Sequence, residues 1–139
     1  MSNPLISICI PTYKRTDLLK KLLDSIKIQT FKNFEILVND NSPDNSVELL
    51  VNSYLPGLPV LYKRNEPAVS AGVNCIRVMQ RASGDWIKVM HDDDDFATPE
   101  SLKTFVDAAL CSGKDFIFCA TTQVWVGSDK KEDDFICGN

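Results

Sequence analysis

Residues 5–40 read LISICIPTYKRTDLLKKLLDSIKIQTFKNFEILVND. Residues 5–10 form a short apolar run rich in β-branched side chains, and Pro11 ends it, as is typical of a buried strand. From Thr16 onward, leucine and isoleucine recur every three or four residues, which predicts an amphipathic helix. Residues 34–38 are a second apolar run, followed by the turn-rich NDNSPDNS. The stretch therefore predicts a strand, a helix and a second strand.

The rest of the chain continues this alternation. The further predicted strands are residues 60–62, 86–90, 115–120 and 121–126, and the further predicted helices are 46–54, 70–82 and 98–112. The last dozen residues are polar and are predicted to be loose. Strands that alternate with helices imply right-handed βαβ units and a mostly parallel sheet with helices on both faces. We therefore predict a single α/β domain over residues 1–139.

Two of these helices have a predicted apolar face. In residues 70–82, the face consists of Val73, Ile76, and Met79 or Gln80. The last helix has a start signal, with Thr98 as a candidate N-cap, Pro99 at the first helical position and Glu100 behind it. Its predicted buried stripe is Leu102, Phe105, Val106, Ala109 and Leu110.

Composition excludes several classes of protein. Nineteen acidic residues outnumber fifteen lysines and arginines, which argues against a general nucleic-acid binder. No stretch approaches the roughly 18 apolar residues of a membrane span, and no basic region precedes the first apolar run as in a signal peptide. The five cysteines are odd in number and widely spaced, which favours reduced thiols. We therefore expect a cytoplasmic protein.

Polar segments follow three of the predicted strands. They are PTYKR at residues 11–15, NDNS at 39–42 and HDDDD at 91–95. In parallel α/β sheets, ligands bind in the crevice beyond the carboxyl ends of the strands. We therefore expect the three segments to face one crevice, with His91 as a packed or hydrogen-bonded residue at the end of its strand.

The acidic run at residues 92–95 has two interpretations. A run of like charges is usually a solvated loop. Its place directly after a buried strand favours instead a site for Mg²⁺ or Mn²⁺, which prefer oxygen ligands and keep positions for phosphate oxygens. No glycine-rich phosphate loop is present, so a bridging cation is the natural way to hold a diphosphate here.

Two stretches resemble the family 2 glycosyltransferases. Residues 7–42, SICIPTYKRTDLLKKLLDSIKIQTFKNFEILVNDNS, are similar to the family's opening, with P-T-Y-N-R, a Leu-rich helix, S-I-x-x-Q-T and F-E-I-x-V. Residues 83–102, SGDWIKVMHDDDDFATPESL, resemble its G-[DE]-[YW]-I-x-x-[LM]-x-D-x-D-D-x-x-x-P-x-x-L. The resemblance covers residues 4–110. It implies a Rossmann-like GT-A fold with a divalent cation held by the D-x-D motif.

The resemblance also implies roles for individual residues. Asp94 would be the direct metal ligand, and Asp92 would meet the ribose, or the metal through water. Asp93, the middle residue of the D-x-D, would belong to the nucleotide-sugar-binding residues, and Asp40 matches the acid that hydrogen-bonds the nucleobase. The remaining residues matched to nucleotide-sugar binding are Pro11, Thr12, Tyr13, Arg15 and Asn74.

The sequence also departs from the family pattern. Lys14 replaces the common Asn of P-T-Y-N-R, and Val73 stands where many members have an Arg. The turn after Asp40 is one residue shorter than usual, and the segment at 65–67 lacks the usual Gly. These differences concern the identity of the donor more than the fold.

The implied function is transfer of a sugar from a nucleotide-diphospho-sugar, with a UDP-sugar preferred, to a saccharide or lipid-linked acceptor. The resemblance implies Mn²⁺ or Mg²⁺ as cofactor, an inverting reaction and a general base that would lie beyond Asn139. The chain is then the donor-binding part, without the acceptor and catalytic-base segment. Peripheral membrane association of the full-length protein is compatible with this. A nucleotidyltransferase and a non-catalytic nucleotide-binding module are the alternatives.

Overall fold

The computed structural model describes residues 4–124 and 131–134. Its strands are β1 (Ile6–Thr12), β2 (Phe34–Asp40), β3 (Val60–Arg64), β4 (Trp86–Val89), β5 (Thr121–Val124) and β6 (Lys131–Asp134). Its helices are α1 (Thr16–Lys27), α2 (Ser46–Asn52), α3 (Ala71–Met79) and α4 (Ser101–Ser112). None of the helices in this part of the chain has the length and apolar character needed to cross a bilayer.

The first four strands form one parallel sheet in the order β3-β2-β1-β4. Thr12 at the end of β1 lies opposite Asp40 at the end of β2, and Asp40 lies opposite Arg64 at the end of β3. The three carboxyl ends are therefore in line at one edge of the sheet. The parallel sheet with helices around it confirms the predicted α/β class.

The core is built from the two runs that open the chain. Every residue of β1 is buried, and all but one of the residues of β2 are. The predicted stripe of α1 is confirmed, since Leu19, Leu22 and Ile26 have no exposed surface. Burying such aliphatic side chains contributes about 1.5–3 kcal/mol each.

Contacts within the chain divide it into two compact units, residues 1–102 and 103–139. The first contains the four-stranded sheet and the start of α4. The second contains the remainder of α4 and the antiparallel pair of β5 and β6. All residues discussed below as a functional site belong to the first unit.

The predicted strand at residues 115–120 was wrong. The segment has no regular structure, and Phe116 and Phe118 are 72% and 66% exposed. Their rings contact each other edge to face, with centroids 4.5 Å apart. A strand needs a neighbour for its backbone hydrogen bonds, and no other strand in the described ranges pairs with this segment.

The prediction for residues 121–126 is confirmed as far as β5, while 125 and 126 lie outside the described residues. The polar tail, predicted to be loose, contains the strand β6. The two strands pair from Thr121 opposite Asp134 to Val124 opposite Lys131. Backbone pairing thus extends into a segment with no apolar pattern.

The predicted inner face of α3 was also wrong. Val73 and Ile76 are 40% and 53% exposed, whereas Asn74 and Val78 are buried. Of the predicted set, Met79 packs against the buried side chains of Cys9, Leu37 and Val78. The helix is turned so that the amide of Asn74 reaches backbone carbonyls at the ends of the strands.

The start of α4 lies later than predicted. The helix begins at Ser101, and Thr98, Pro99 and Glu100 form the turn before it. In that turn the backbone N–H of Thr98 donates to the hydroxyl of Ser101 at 3.0 Å. Within the predicted stripe, Leu102, Val106 and Ala109 are buried, Phe105 is half-buried and Leu110 is 60% exposed.

Candidate functional site

A cleft opens at the carboxyl ends of the strands, where the strand order reverses between β1 and β4. This is where ligands bind in open α/β sheets. The main cavity has a volume of about 540 Å³. Six of the predicted site residues line it: Pro11, Thr12, Tyr13, Arg15, Asn74 and Asp92. His91, predicted to be packed or hydrogen-bonded at the end of its strand, is exposed and also lines this cavity, and its backbone N–H donates to Asp94.

Asp92 is the buried acid of the cleft, with 6% of its surface exposed. Its Oδ2 accepts a 2.9 Å hydrogen bond from the hydroxyl of Thr12 and a longer one, 3.4 Å, from the backbone N–H of Tyr13. Its Oδ1 lies 3.3 Å from Nη1 of Arg15. Charge-assisted bonds of this kind are the stronger hydrogen bonds in proteins, so the orientation of the carboxylate is well determined.

The sheet explains how Asp92 reaches these partners. The last paired residues of β1 and β4 are Cys9 and Val89, and β1 continues for three residues beyond that point. The N–H of Met90 still donates to the carbonyl of Cys9 at 3.0 Å. The chain then turns away, which brings Asp92 beside the end of the longer strand at Thr12.

Arg15 joins the acidic run to the segment after β1. Its Nη1 contacts Oδ2 of Asp93 at 3.0 Å as well as the carboxylate of Asp92. The side chains of Arg15 and Asp93 are about half exposed, at 55% and 52%. The repulsion expected among consecutive aspartates is therefore partly offset by a cation of the protein itself.

Asp94 faces another way. Its Oδ2 accepts a 2.8 Å hydrogen bond from the N–H of His91, and its own N–H donates to the carbonyl of His91. The side chain is exposed and does not line either cavity of the cleft. Of the two acids predicted to hold a metal, Asp92 is thus buried and lines the main cavity, whereas Asp94 is open to solvent and lines neither cavity.

The carboxylates of the acidic run provide a limited set of ligands for a divalent cation. Within the described residues, no group of three or more His, Cys, Asp or Glu side chains is arranged to hold a metal ion. Asp92 and Asp94 offer only carboxylate oxygens, which suit Mg²⁺ or Mn²⁺. Such an ion fits here only if water or phosphate oxygens supply its remaining ligands.

Asp40, the predicted contact of the nucleobase, lies beneath the surface of the cleft. It is fully buried, and its Oδ1 accepts the N–H of Ser42 at 2.7 Å. Its Oδ2 accepts the hydroxyl of Tyr62 at 2.8 Å and lies 3.9 Å from Nε of Arg64. Burial, together with the hydrogen bond to Asp40, raises the pKa of Tyr62 to about 12. Both carboxylate oxygens therefore have protein partners.

A second cavity of about 290 Å³ adjoins the first, and Tyr13, Asn41 and Ala68 line both. Arg64 and Glu66 on its wall form an ion pair at 3.6 Å. Tyr13 is 53% exposed between the two cavities. The structure thus places the aromatic side chain where it is accessible to a flat ligand entering either cavity.

A network of three buried asparagines supports the cleft, and no periodic pattern in the sequence predicts it. The amide Nδ2 of Asn65 donates to Oδ1 of Asn41 at 3.0 Å and to Oδ1 of Asn74 at 2.7 Å. Asn41 also exchanges two hydrogen bonds with the backbone of Val69. The amide of Asn74 donates to the carbonyl of Asn39 at 3.2 Å. Asn74 therefore lines the cavity with both ends of its amide already engaged.

Lys14 has a backbone conformation that is unusual for its residue type. Its φ is +62°, in the left-handed region, and its N–H donates to the hydroxyl of Ser42 at 2.8 Å. Asparagine enters this region more readily than lysine does. This gives a physical reason for the Asn found at this position in the resembled motif.

The end of α1 anchors the chain that follows the acidic run. Gln29 is fully buried, and its Nε2 donates to the carbonyls of Ser25 and Thr98, each at 2.9 Å. Its Oε1 accepts the N–H of Leu102 at 2.9 Å. The hydroxyl of Ser25 accepts the N–H of Phe96 at 3.1 Å. Ser25 and Gln29 are the Ser and Gln of the S-I-x-x-Q-T motif.

Comparison with known proteins gives a family match. Residues 7–133 match the model of the family described as Glycosyl transferase family 2. An abequosyltransferase, RfbV of Salmonella typhimurium, is 32% identical over 123 residues, which is 80% of this chain and 36% of that protein. A GalNAc(5)-diNAcBac-PP-undecaprenol β-1,3-glucosyltransferase of Campylobacter jejuni is 32% identical over 94 residues, 66% of this chain and 30% of that protein. The chain thus spans about a third of the length of these relatives.

Solved structures of similar fold include TarS 1-349 of S. aureus in complex with UDP. It has a TM-score of 0.67 and 25% identity, over 73% of this chain and 31% of that one. A mannosyltransferase of Pyrobaculum calidifontis, in complex with GDP-Man and Mn²⁺, has a TM-score of 0.68 over 82% of this chain and 34% of that one. At 17% identity, the second likeness supports the fold alone.

Proposed function

The chain belongs to glycosyl transferase family 2, and on that premise we propose that its cleft binds a nucleotide-diphospho-sugar for glycosyl transfer. The donor is a UDP-sugar, and the acceptor is a saccharide or a lipid-linked glycan. The UDP bound to TarS supports the nucleotide, and the name of the Campylobacter jejuni relative supports the acceptor class.

One observation carries the proposal. A buried carboxylate, Asp92, faces the cavity at the point where the strand order reverses, held by Thr12 and Arg15. An acid held rigidly at such a crevice suits a ligand with hydroxyls and a bound cation. The neighbouring Tyr13 offers an aromatic face, which suits a nucleobase.

A divalent cation would be held by Asp94 and Asp92. When bound, such a cation would neutralise the negative charge that develops on the diphosphate leaving group. Arg15 and Lys14 add positive charge of the protein near the same cleft, and the guanidinium of Arg15 is suited to paired bonds with phosphate oxygens. The fixed carboxylate of Asp92 orients the donor through its ribose.

Inversion at the anomeric carbon needs a general base on the face opposite the diphosphate. The cleft described above is assigned the binding of donor and metal, and none of its residues is assigned the role of that base. The asparagine network and the hydrogen bonds of Gln29 favour binding in this scheme, because both hold segments that border the cleft in place.

Isothermal titration calorimetry with UDP tests the proposal, with and without Mn²⁺. We expect binding that depends on the metal and that is weakened in Asp94→Ala. Asp85→Ala is the matched control, since Asp85 is an exposed acid before β4, at the other end of that strand. A UDP affinity that is the same with and without Mn²⁺, or that is unchanged in Asp94→Ala, would overturn the site assignment.

A further inference from the structure

We propose that Arg15 is an internal counter-ion of the acid loop, residues 91–95, and that a divalent cation displaces it. The displaced guanidinium then becomes available to the diphosphate of the donor. The inference rests on the proposed function of the cleft. Under this inference, Arg15 weakens the binding of the metal ion and strengthens the binding of the nucleotide.

The contacts of Arg15 are the starting point. A single nitrogen, Nη1, lies 3.3 Å from Oδ1 of Asp92 and 3.0 Å from Oδ2 of Asp93. It therefore sits between two successive carboxylates of the acid loop. A metal ion held by Asp94 and Asp92 would meet the guanidinium at Asp92, where it would have to share the carboxylate with Arg15 or replace it.

Charge makes the two cations competitors. An arginine side chain keeps its proton at all ordinary pH values, so it cannot become neutral when a metal arrives. Two positive groups within a few ångströms repel each other, and proximity to water weakens that repulsion without removing it. Arg15 therefore lowers the affinity of the acid loop for a metal ion in the absence of nucleotide.

Arg15 is also placed to move. Its side chain is 55% exposed, so it can change rotamer without disturbing the core. It lines the main cavity and directly precedes α1. The planar guanidinium has five donors in a fork that matches phosphate oxygens. Once the metal has displaced the guanidinium, an anion in the same cavity is the nearest partner to which those donors can bond.

This arrangement predicts effects of opposite sign. Removing the charge of Arg15 should strengthen the binding of a metal ion alone, because a competitor is lost. The same change should weaken the binding of UDP in the presence of saturating metal, because a phosphate contact is lost. Damage to the fold would weaken both, so the pair of signs distinguishes this role from a structural one.

The experiment compares wild type with Arg15→Gln and Arg15→Lys. Electron paramagnetic resonance counts free Mn²⁺ during titration without nucleotide, and calorimetry measures UDP binding at saturating Mn²⁺. For Arg15→Gln we expect Mn²⁺ to bind about two- to five-fold more tightly and UDP about ten-fold more weakly. Arg15→Lys should lie between this variant and wild type in both measurements.

Lys20→Gln is the matched control. Lys20 is an exposed cation on α1, paired with Asp24 at 2.7 Å, outside the cleft. Lys20→Gln changes the net charge by the same amount as Arg15→Gln, and it should change neither the affinity for Mn²⁺ nor that for UDP. Equal tightening of Mn²⁺ binding in Lys20→Gln and Arg15→Gln would overturn the inference, because the effect would then be one of net charge.

The outcomes separate this inference from the proposed function. If wild type binds Mn²⁺ and UDP, and Arg15→Gln changes both affinities in one direction or neither, the counter-ion role is wrong and the function stands. If wild type binds neither ligand, both are wrong. If Asp94→Ala abolishes Mn²⁺ binding and Arg15→Gln strengthens it, the inference is supported.

Discussion

Gln29 and Thr98 are 69 residues apart in the sequence, and the side-chain amide of Gln29 donates a 2.9 Å hydrogen bond to the carbonyl of Thr98. The bond ties the end of α1 to the chain beyond the acid loop. At its other end, the loop is attached to β4 through Met90, whose N–H bonds to Cys9. The acid loop is therefore held at both ends by the folded core.

Gln29→Ala should destabilise the protein by about 2–4 kcal/mol, since the N–H of Leu102 and the carbonyls of Ser25 and Thr98 would lose this partner. Denaturant unfolding measures the loss. Lys27→Ala, at an exposed position of the same helix, should change the free energy of unfolding by less than about 0.5 kcal/mol. Equal stability of the two variants would show that water replaces the amide of Gln29.

Lys14→Asn should stabilise the protein by about 0.5–1 kcal/mol, because asparagine accepts the left-handed conformation at φ +62° more easily. Thermal unfolding measures the gain. Lys14→Ala removes the same charge while keeping the backbone cost, so it should show no such gain. If the alanine variant is as stable as the asparagine variant, the gain comes from the lost charge and not from the backbone conformation.

Gly84→Ala should destabilise the protein by about 1–3 kcal/mol. A Cβ at Gly84 would lie 2.8 Å from the backbone nitrogen of Ser7, which is part of β1 and cannot give way easily. Gly72→Ala is the contrasting variant, since a Cβ there meets nothing within 4 Å and the residue lies in α3. The free energy of unfolding of Gly72→Ala should rise by about 0.5–1 kcal/mol, because alanine has a higher helix propensity than glycine. Unfolding curves that place both variants on the same side of wild type would contradict this pair of expectations.

Tyr62 should make stability fall at alkaline pH. Burial and the bond to Asp40 raise its pKa from 10.0 to about 12, so the folded protein holds the phenolic proton more tightly than the unfolded chain. This contribution is complete below pH 10 and is lost as pH rises towards 12. The free energy of unfolding, measured with denaturant across that pH window, should therefore decline less steeply in Tyr62→Phe. Parallel declines in the two proteins would assign the effect to other groups.

The sequence predicted most of the sheet because the first four strands are apolar runs between clear turn signals. It failed for α3 because periodicity counts apolar side chains, and the inner position there belongs to Asn74, whose amide bonds to backbone carbonyls. It failed at residues 115–120 because an apolar run predicts a strand whether or not a partner strand is available.

For the site, the sequence predicted which segments meet but not how their side chains are used. It grouped Arg15 and Asp92 in one crevice, and the structure places them in contact. It could not predict the ion pair of Arg15 with Asp93 or the burial of Asp40. The ion pair depends on side-chain rotamers, and the burial of Asp40 depends on contacts with residues distant in the sequence, such as Tyr62.

The contact between Thr12 and Asp92 has a consequence for synthesis of the chain. The two residues are 80 positions apart, whereas β1 meets β2 after a much shorter stretch. The ribosome therefore releases β1, β2 and β3 first, and on the order of seconds pass before β4 follows. During that interval one edge of β1 has no neighbour, and an unpaired strand edge is open to pairing with other chains. The cleft is completed only when β4 closes this edge.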